Sequence, residues 1–159
     1  FYLNYAASIS DPIERFKVFM TCTIALIIRL IFEKPVNPVI GETYQARGAD
    51  GARLYMEQTS HHPPVSHMYI DGPDGKYTVS GWCECQIKCS LTSVTVKSQG
   101  HKKVVFKDGQ TIICNHPSDT FYNCMMGTLY NQVNGKVEFN DYENGLYGYY
   151  QIGKVKKKS

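Results

Sequence analysis

The sequence feature that most constrains the fold is a series of turn dipeptides after Gly41. They separate short runs rich in Val, Ile, Thr, Tyr and Phe, with no helical pattern between them. Each dipeptide favours the positive φ of a tight hairpin, and this spacing predicts an antiparallel β-meander over residues 42–159. The dipeptides are Asp50-Gly51, Asp71-Gly72, Asp74-Gly75, Asp108-Gly109, Asn134-Gly135 and Asn144-Gly145.

A meander of this length predicts a closed or nearly closed sheet. About ten antiparallel strands curl into a barrel or split into a sandwich rather than remain flat. Cys83, Cys85, Ile87 and Cys89 share parity, so they are predicted to face one side of a strand and to line a barrel interior. The predicted strands lie near 42–47, 53–59, 65–70, 76–82, 84–89, 92–98, 102–107, 110–115, 121–131, 136–140 and 146–152.

The segment before the meander, residues 1–33, is predicted to be helical. Asp11 is placed to cap a helix over residues 12–32, and Pro12 suits the first helical position. The apolar part, Val18–Phe32, is shorter than the roughly 20 residues that a membrane span needs. We therefore expect this helix to pack against the sheet.

Composition places the chain among ordinary globular domains. Its 159 residues fit one domain, and a net charge of +3 is too small to indicate nucleic-acid binding. The six cysteines are too few for a disulfide scaffold of this size, and no Asn-x-Ser/Thr sequon occurs. The sequence therefore predicts reduced cysteines and a cytoplasmic protein.

The stretch EQTSHHPP, residues 57–64, holds the most distinctive polar pattern. His61 and His62 are adjacent, which does not match the spacing of metal ligands on a helix, and Ser60 lies in no recognisable nucleophile turn. Two histidines held rigidly by the following prolines could donate two ring N–H groups to one phosphate, if the backbone departs from strict alternation. A plain exposed turn is the alternative that remains open.

A second polar pair occurs in KPVNPVIGE, residues 34–42, between the helix and the meander. Lys34 supplies a positive charge suited to phosphate, and Asn37 supplies an amide donor. The two prolines keep the connector extended and rigid, so both side chains would be presented at little cost in conformational entropy. The alternative is a stiff connector with an ordinary surface lysine.

Both stretches resemble signatures of one family. EQTSHHPP resembles the EQVSHHPP signature of the oxysterol-binding protein related family, with Thr59 where valine is usual. KPVNPVIGE resembles that family's KPFNPLLGE stretch, and weaker similarity extends from DPIERF to NGKVEFNDYENGLYGYYQIG. The resemblance implies that residues 1–159 are the N-terminal core of a longer lipid-binding domain, without its lid and C-terminal region.

The resemblance also implies a function. Members bind sterol or another lipid in a hydrophobic tunnel, and many exchange it for phosphatidylinositol 4-phosphate between the endoplasmic reticulum and other membranes. The implied headgroup ligands are Lys34, Asn37, His61 and His62. Peripheral contact with membranes is also implied, and we expect no nucleic acid, no metal and no cofactor. Two alternatives to this non-enzymatic lipid transfer stay open: a phosphate-chemistry enzyme that uses the histidines as acid and base, and a phosphoinositide sensor or scaffold that transfers nothing.

Overall fold

The computed structural model describes residues 1–27 and 38–153, which form two α-helices and one nine-stranded antiparallel sheet. The predicted mainly-β class is confirmed. The helices are α1 (Tyr2–Ser8) and α2 (Pro12–Ala25). The strands are β1 (Thr43–Arg47), β2 (Arg53–His61), β3 (Pro64–Asp71), β4 (Tyr77–Cys89), β5 (Ser93–Phe106), β6 (Thr111–Asn115), β7 (Ser118–Tyr122), β8 (Tyr130–Asp141) and β9 (Leu146–Ile152).

The sheet has the topology of the predicted meander. Consecutive strands pair from β1 to β5, and β6 and β7 then lie end to end between β5 and β8. β9 pairs with β8, so β1 and β9 are the edges of the sheet within the described residues. We call the end with the β1–β2, β5–β6 and β8–β9 turns the helix end, and the end with the β2–β3, β4–β5 and β7–β8 turns the far end.

Two pairs of predicted strands prove to be single long strands. The runs predicted at 76–82 and 84–89 join into β4, and those at 92–98 and 102–107 join into β5. Gly100 has a φ of 114° inside β5, and the pairing of β5 with β4 continues through it without a shift in register. A glycine was therefore a weaker boundary signal than the sequence pattern suggested.

The predicted strand at 121–131 was wrong. Most of that range is the loop between β7 and β8, in which Asn123 and Gly127 have φ values of 60° and 91°. The dipeptide Asn134-Gly135, predicted to be a hairpin turn, lies inside β8, where Gly135 has a φ of 117°. Asn-Gly supplies positive φ, but an irregularity within a strand can use that conformation as well as a turn can.

The start of the predicted helix is confirmed and its end is not. α2 begins at Pro12, and the Asp11 carboxylate accepts hydrogen bonds from the backbone N–H groups of Ile13 (2.9 Å) and Glu14 (2.8 Å). It ends at Ala25, before the predicted residue 32, and residues 28–37 lie outside the described part of the chain. The helical segment predicted over residues 1–33 also contains α1, but a separate short helix was not predicted there, because α1 has no side-chain cap to mark it.

The hydrophobic core lies between the helices and one face of the sheet, which we call the interior face. Phe16 and Phe19 of α2 contact the ring of Phe139 edge to face, with centroids 6.3 and 6.1 Å apart. Burial raises the pKa of the Cys114 thiol to about 11, so this side chain stays neutral and behaves as an apolar group. Other buried members are Ala6, Tyr77, Val79, Val104, Phe106, Ile112 and Val137.

The interior face continues past the helices towards the far end. Cys83, Cys85, Ile87 and Cys89 of β4 have the same parity as the core residue Val79, so the prediction that they share one face is confirmed. Cys83 and Cys85 are half-buried, and the other two are exposed. Their partners across β5 are Gly100, Ser98, Val96 and Val94.

A buried polar network joins α2 to two turns at the helix end. The Arg15 guanidinium forms a salt bridge with Asp108 (2.6 Å) and donates hydrogen bonds to the Gln110 side-chain oxygen (2.9 Å) and to the Ile9 carbonyl. The Gln110 amide in turn donates to the Asp141 carboxylate at 2.8 Å. Since Arg15 and Asp141 are both buried, these contacts fix how the helix sits on the sheet.

Candidate functional site

The histidine pair lies at the turn between β2 and β3, at the far end of the sheet. His61 pairs with Pro64 across the hairpin, and the His62–Pro63 peptide bond between them is cis. The two imidazole rings meet edge to face, with centroids 4.7 Å apart and planes at 69°. Both residues are exposed, so the two imidazole rings lie side by side and are accessible to a ligand from solvent.

A β-bulge decides which way His61 faces. The register of β2 against β3 shifts between Gln58 and Ser60, so Thr59 is the extra residue. Leu54, Met56 and Gln58 of β2 lie on the interior face, so in an unbroken strand His61 would lie on the opposite face of the sheet, which we call the outer face. The extra residue reverses the alternation and puts His61 on the interior face, opposite Pro64. The bulge thus sets the face of His61. At the turn itself the His61 and His62 ring centroids are only 4.7 Å apart, which is the departure from strict alternation that the anion hypothesis required.

Gln58 holds this bulge, and the sequence interpretation gave it no role. Its side chain is buried, donates to the Ser60 carbonyl at 2.7 Å and accepts a hydrogen bond from the Ser66 hydroxyl. Its backbone accepts from Gly41 N–H (2.8 Å) and donates to the Glu42 carbonyl (3.0 Å). The sequence signal for this role was the polar amide of Gln58 at a strand position whose side chain should point into the core, because a buried amide needs hydrogen-bond partners.

The other two predicted ligands, Lys34 and Asn37, lie outside the described residues. The described residues that follow them, Pro38–Glu42, lead directly into β1. Within this segment Val39 N–H donates to the Glu42 carboxylate, and Glu42 N–H donates to the Val39 carbonyl, both at 3.0 Å. Through Gly41 and Glu42 the segment is hydrogen-bonded to Gln58 of β2, which lies beside the bulge and three residues before His61.

Thr59, the departure from the family signature, makes contacts across the hairpin on the outer face. Its hydroxyl lies 2.9 Å from Nδ1 of His67 and 3.3 Å from the Val65 carbonyl oxygen, to which it donates. The hydroxyl therefore points away from the interior face on which His61 lies.

Replacing Thr59 by valine is expected to lower the free energy of unfolding by about 0.5–1.5 kcal/mol, because one exposed hydroxyl loses its partners. Urea denaturation followed by circular dichroism measures the change. Phosphate binding should stay within about twofold of the unsubstituted chain, since the side chain faces away from the pair. A loss of phosphate affinity comparable to that of a histidine variant would place Thr59 in the site.

A separate cleft of about 320 Å³ lies on the outer face and does not include the histidine pair. Tyr55, Glu57, His67 and Tyr69 line it, and the two tyrosine ring centroids are 6.5 Å apart.

Within residues 1–27 and 38–153, no group of three or more His, Cys, Asp or Glu side chains is arranged to hold a metal ion. None of the helices described is long and apolar enough to cross a bilayer.

Comparison with known proteins shows the family. The model of the oxysterol-binding protein family matches residues 2–157. The chain belongs to the oxysterol-binding protein family. It is 34% identical over 146 residues to oxysterol-binding protein 9 of Dictyostelium discoideum, covering 91% of this chain and 34% of that protein. It is 29% identical over 153 residues to human oxysterol-binding protein-related protein 1, covering 91% and 16%.

Solved structures of the family share the fold. The Osh1 ORD domain in complex with cholesterol matches with a TM-score of 0.82 and 25% identity, over 92% of this chain and 36% of that one. The Osh3 ORD in complex with PI(4)P from Saccharomyces cerevisiae matches with a TM-score of 0.76 and 23% identity, over 99% and 43%. The chain thus spans between 16% and 43% of the length of these relatives, and the likeness to the Osh3 domain shows the fold alone.

Proposed function

We propose that this chain is the core of a lipid-transfer module that carries sterol or another membrane lipid and exchanges it for phosphatidylinositol 4-phosphate. The 4-phosphate is held by His61 and His62 together with Lys34 and Asn37. The module acts at the cytoplasmic surface of the endoplasmic reticulum or another organelle and catalyses no reaction. Ergosterol and cholesterol complexes of a related domain support the sterol ligand, and the histidine pair supports the phosphate ligand.

One observation carries the proposal: the bulge puts His61 on the interior face, at the end where that face is lined by apolar and thiol side chains. Donors for an anion thus stand at the edge of an apolar surface. The spacing of the two rings suits one phosphate, because N–H groups on both can approach neighbouring oxygens at about 2.7–2.9 Å. A phosphoinositide has the same order of groups, an anionic head followed by acyl chains.

Binding is driven by two separate terms. Transfer of the lipid's apolar body from water to the interior face contributes about 25 cal/mol for each Å² that is buried. The histidines and Lys34 contribute charge-assisted hydrogen bonds that a sterol cannot use, and Asn37 adds a neutral donor. Because both lipids occupy the same apolar surface, binding of one excludes the other, and this exclusion makes transfer an exchange.

Competition between the two lipids tests the proposal. The chain is incubated with vesicles that contain labelled phosphatidylinositol 4-phosphate and increasing amounts of sterol, and soluble protein-bound lipid is measured after the vesicles are sedimented. Extraction of the phosphoinositide should fall as bound sterol rises, with a total near one lipid per protein. Additive binding of both lipids, or extraction of neither, would contradict the exchange.

A further inference from the structure

Two neighbouring loops at the far end expose apolar side chains. Leu91 in the β4–β5 turn is 88% exposed, and Met125 and Met126 in the β7–β8 loop are 75% and 85% exposed. The backbone N–H of Cys124 donates to the Thr92 carbonyl at 3.1 Å, so the two loops are tied to each other. We call Leu91, Met125 and Met126 the apolar tip.

Tyrosines stand directly behind the apolar tip. Tyr122 and Tyr130 pair across β7 and β8 at the base of the loop, and their rings stack with centroids 4.9 Å apart and planes at 18°. Tyr130 is exposed. Tyrosine has an apolar ring and a polar hydroxyl, and it is enriched where proteins cross the boundary between lipid and water.

The charge around the apolar tip is positive. No Asp or Glu occurs in residues 86–107 or 120–137, the stretches that form both loops and most of their strands. Lys88 and Lys97 lie on neighbouring strands and share the outer face, as the pairing of β4 with β5 shows. The acidic residues nearest to the tip on these strands are Glu84, on the outer face of β4, and the buried Asp119 of β7. Eight of the chain's 14 acidic residues lie at the helix end: Asp11, Glu14, Asp50, Asp71, Asp74, Asp108, Asp141 and Glu143.

We propose that the apolar tip is a membrane-docking surface that enters the headgroup region of a bilayer containing anionic lipid. The apolar residues would lie deepest in the bilayer, the tyrosines at the level of the headgroups, and the lysines next to the negatively charged surface. This is the order expected across a membrane interface. A protein partner fits less well, because three side chains offer less than the roughly 800 Å² that each partner buries in a stable interface. The inference deepens the proposed function and rests on it for its biological role.

Docking through the apolar tip sets the histidine pair back from the bilayer. The β2–β3 turn is level with Cys85, because Val65 pairs with Glu84, and β4 continues from Cys85 to Cys89. Four residues of strand span about 14 Å. A headgroup bound by His61 and His62 has therefore already left the plane of its neighbours, as extraction of a lipid requires.

Vesicle flotation tests the docking surface. The full chain is compared with a Leu91→Ser, Met125→Ser, Met126→Ser variant on phosphatidylcholine vesicles with and without phosphatidylserine. The variant should bind anionic vesicles about tenfold or more weakly, because less apolar area enters the interface. The matched control is Phe1→Ser, Tyr142→Ser, which removes two exposed aromatic residues at the helix end and should bind like the unsubstituted chain.

A variant that gains a signal checks the same contact without loss of apolar surface. Trp82 is the chain's one tryptophan, so Leu91→Trp adds a reporter at the apolar tip. Brominated acyl chains should quench the new emission when anionic vesicles are added. No quenching, or equal flotation of the serine variant and the unsubstituted chain, would overturn the docking proposal.

The outcomes separate this inference from the proposed function. The serine variant should still bind a short-chain, soluble phosphatidylinositol 4-phosphate, whereas a His61→Ala, His62→Ala variant should lose that binding and still float with vesicles. If the serine substitutions abolish a dimer seen by analytical ultracentrifugation and leave flotation unchanged, the apolar tip is a contact between copies of the chain, and the docking proposal is wrong.

Discussion

Replacing His61 and His62 together by alanine is expected to weaken binding of phosphatidylinositol 4-phosphate by about a hundredfold or more. Each charge-assisted hydrogen bond to a phosphate oxygen contributes about 1.5–3 kcal/mol, and 1.4 kcal/mol corresponds to a factor of ten. Isothermal titration calorimetry with a short-chain soluble lipid gives the affinity directly. This readout excludes any effect of the substitutions on docking to vesicles.

Two controls isolate the role of the pair. His101→Ala removes an exposed histidine of β5 whose ring packs against Trp82, 6.0 Å between centroids, and it should leave the affinity within about twofold. Phosphatidylinositol, which lacks the 4-phosphate, should bind the unsubstituted chain and the double variant equally weakly. Equal affinities of the two proteins for the 4-phosphate lipid would remove His61 and His62 from the site.

Replacing Arg15 by methionine is expected to lower the free energy of unfolding by about 3–5 kcal/mol. Methionine fills part of the volume but donates no hydrogen bond, so the side-chain oxygen of Gln110 and the carbonyl of Ile9 lose a buried donor. The contact of the guanidinium with the Phe106 ring, 4.8 Å from its centroid, is lost as well. Urea denaturation followed by circular dichroism measures the effect.

Lys17→Met is the matched control for this substitution. Lys17 lies on the same helix and forms a salt bridge with Glu14 at 2.7 Å, almost the same distance as the 2.6 Å between Arg15 and Asp108. The two basic side chains differ in exposure, 63% for Lys17 against 5% for Arg15. The control should cost less than about 1 kcal/mol, because solvent screens an exposed pair. Equal losses would mean that burial does not decide the value of these contacts.

Local signals predicted the elements that depend on neighbouring residues. Asp11 and Pro12 marked the start of α2, because a helix cap is made by residues within one turn of each other. The alternation along β4 predicted a shared face for its cysteines, because strand parity is a local property. The prediction failed where a positive φ occurs in two kinds of structure. Asn134-Gly135 predicted a hairpin turn, but it lies within β8, where Gly135 has a positive φ.

The sequence by itself determined that this chain forms an antiparallel meander of the oxysterol-binding protein family and that two histidines end one of its hairpins. The tertiary structure decided which face His61 occupies, since one extra residue at Thr59 reverses the alternation and the buried side chain of Gln58 holds that bulge through contacts with both strands. It also decided the length of β5 and the burial of Arg15. The physical reason is common to all three: each depends on hydrogen bonds or packing between residues that are distant in sequence, and local pattern carries no record of them.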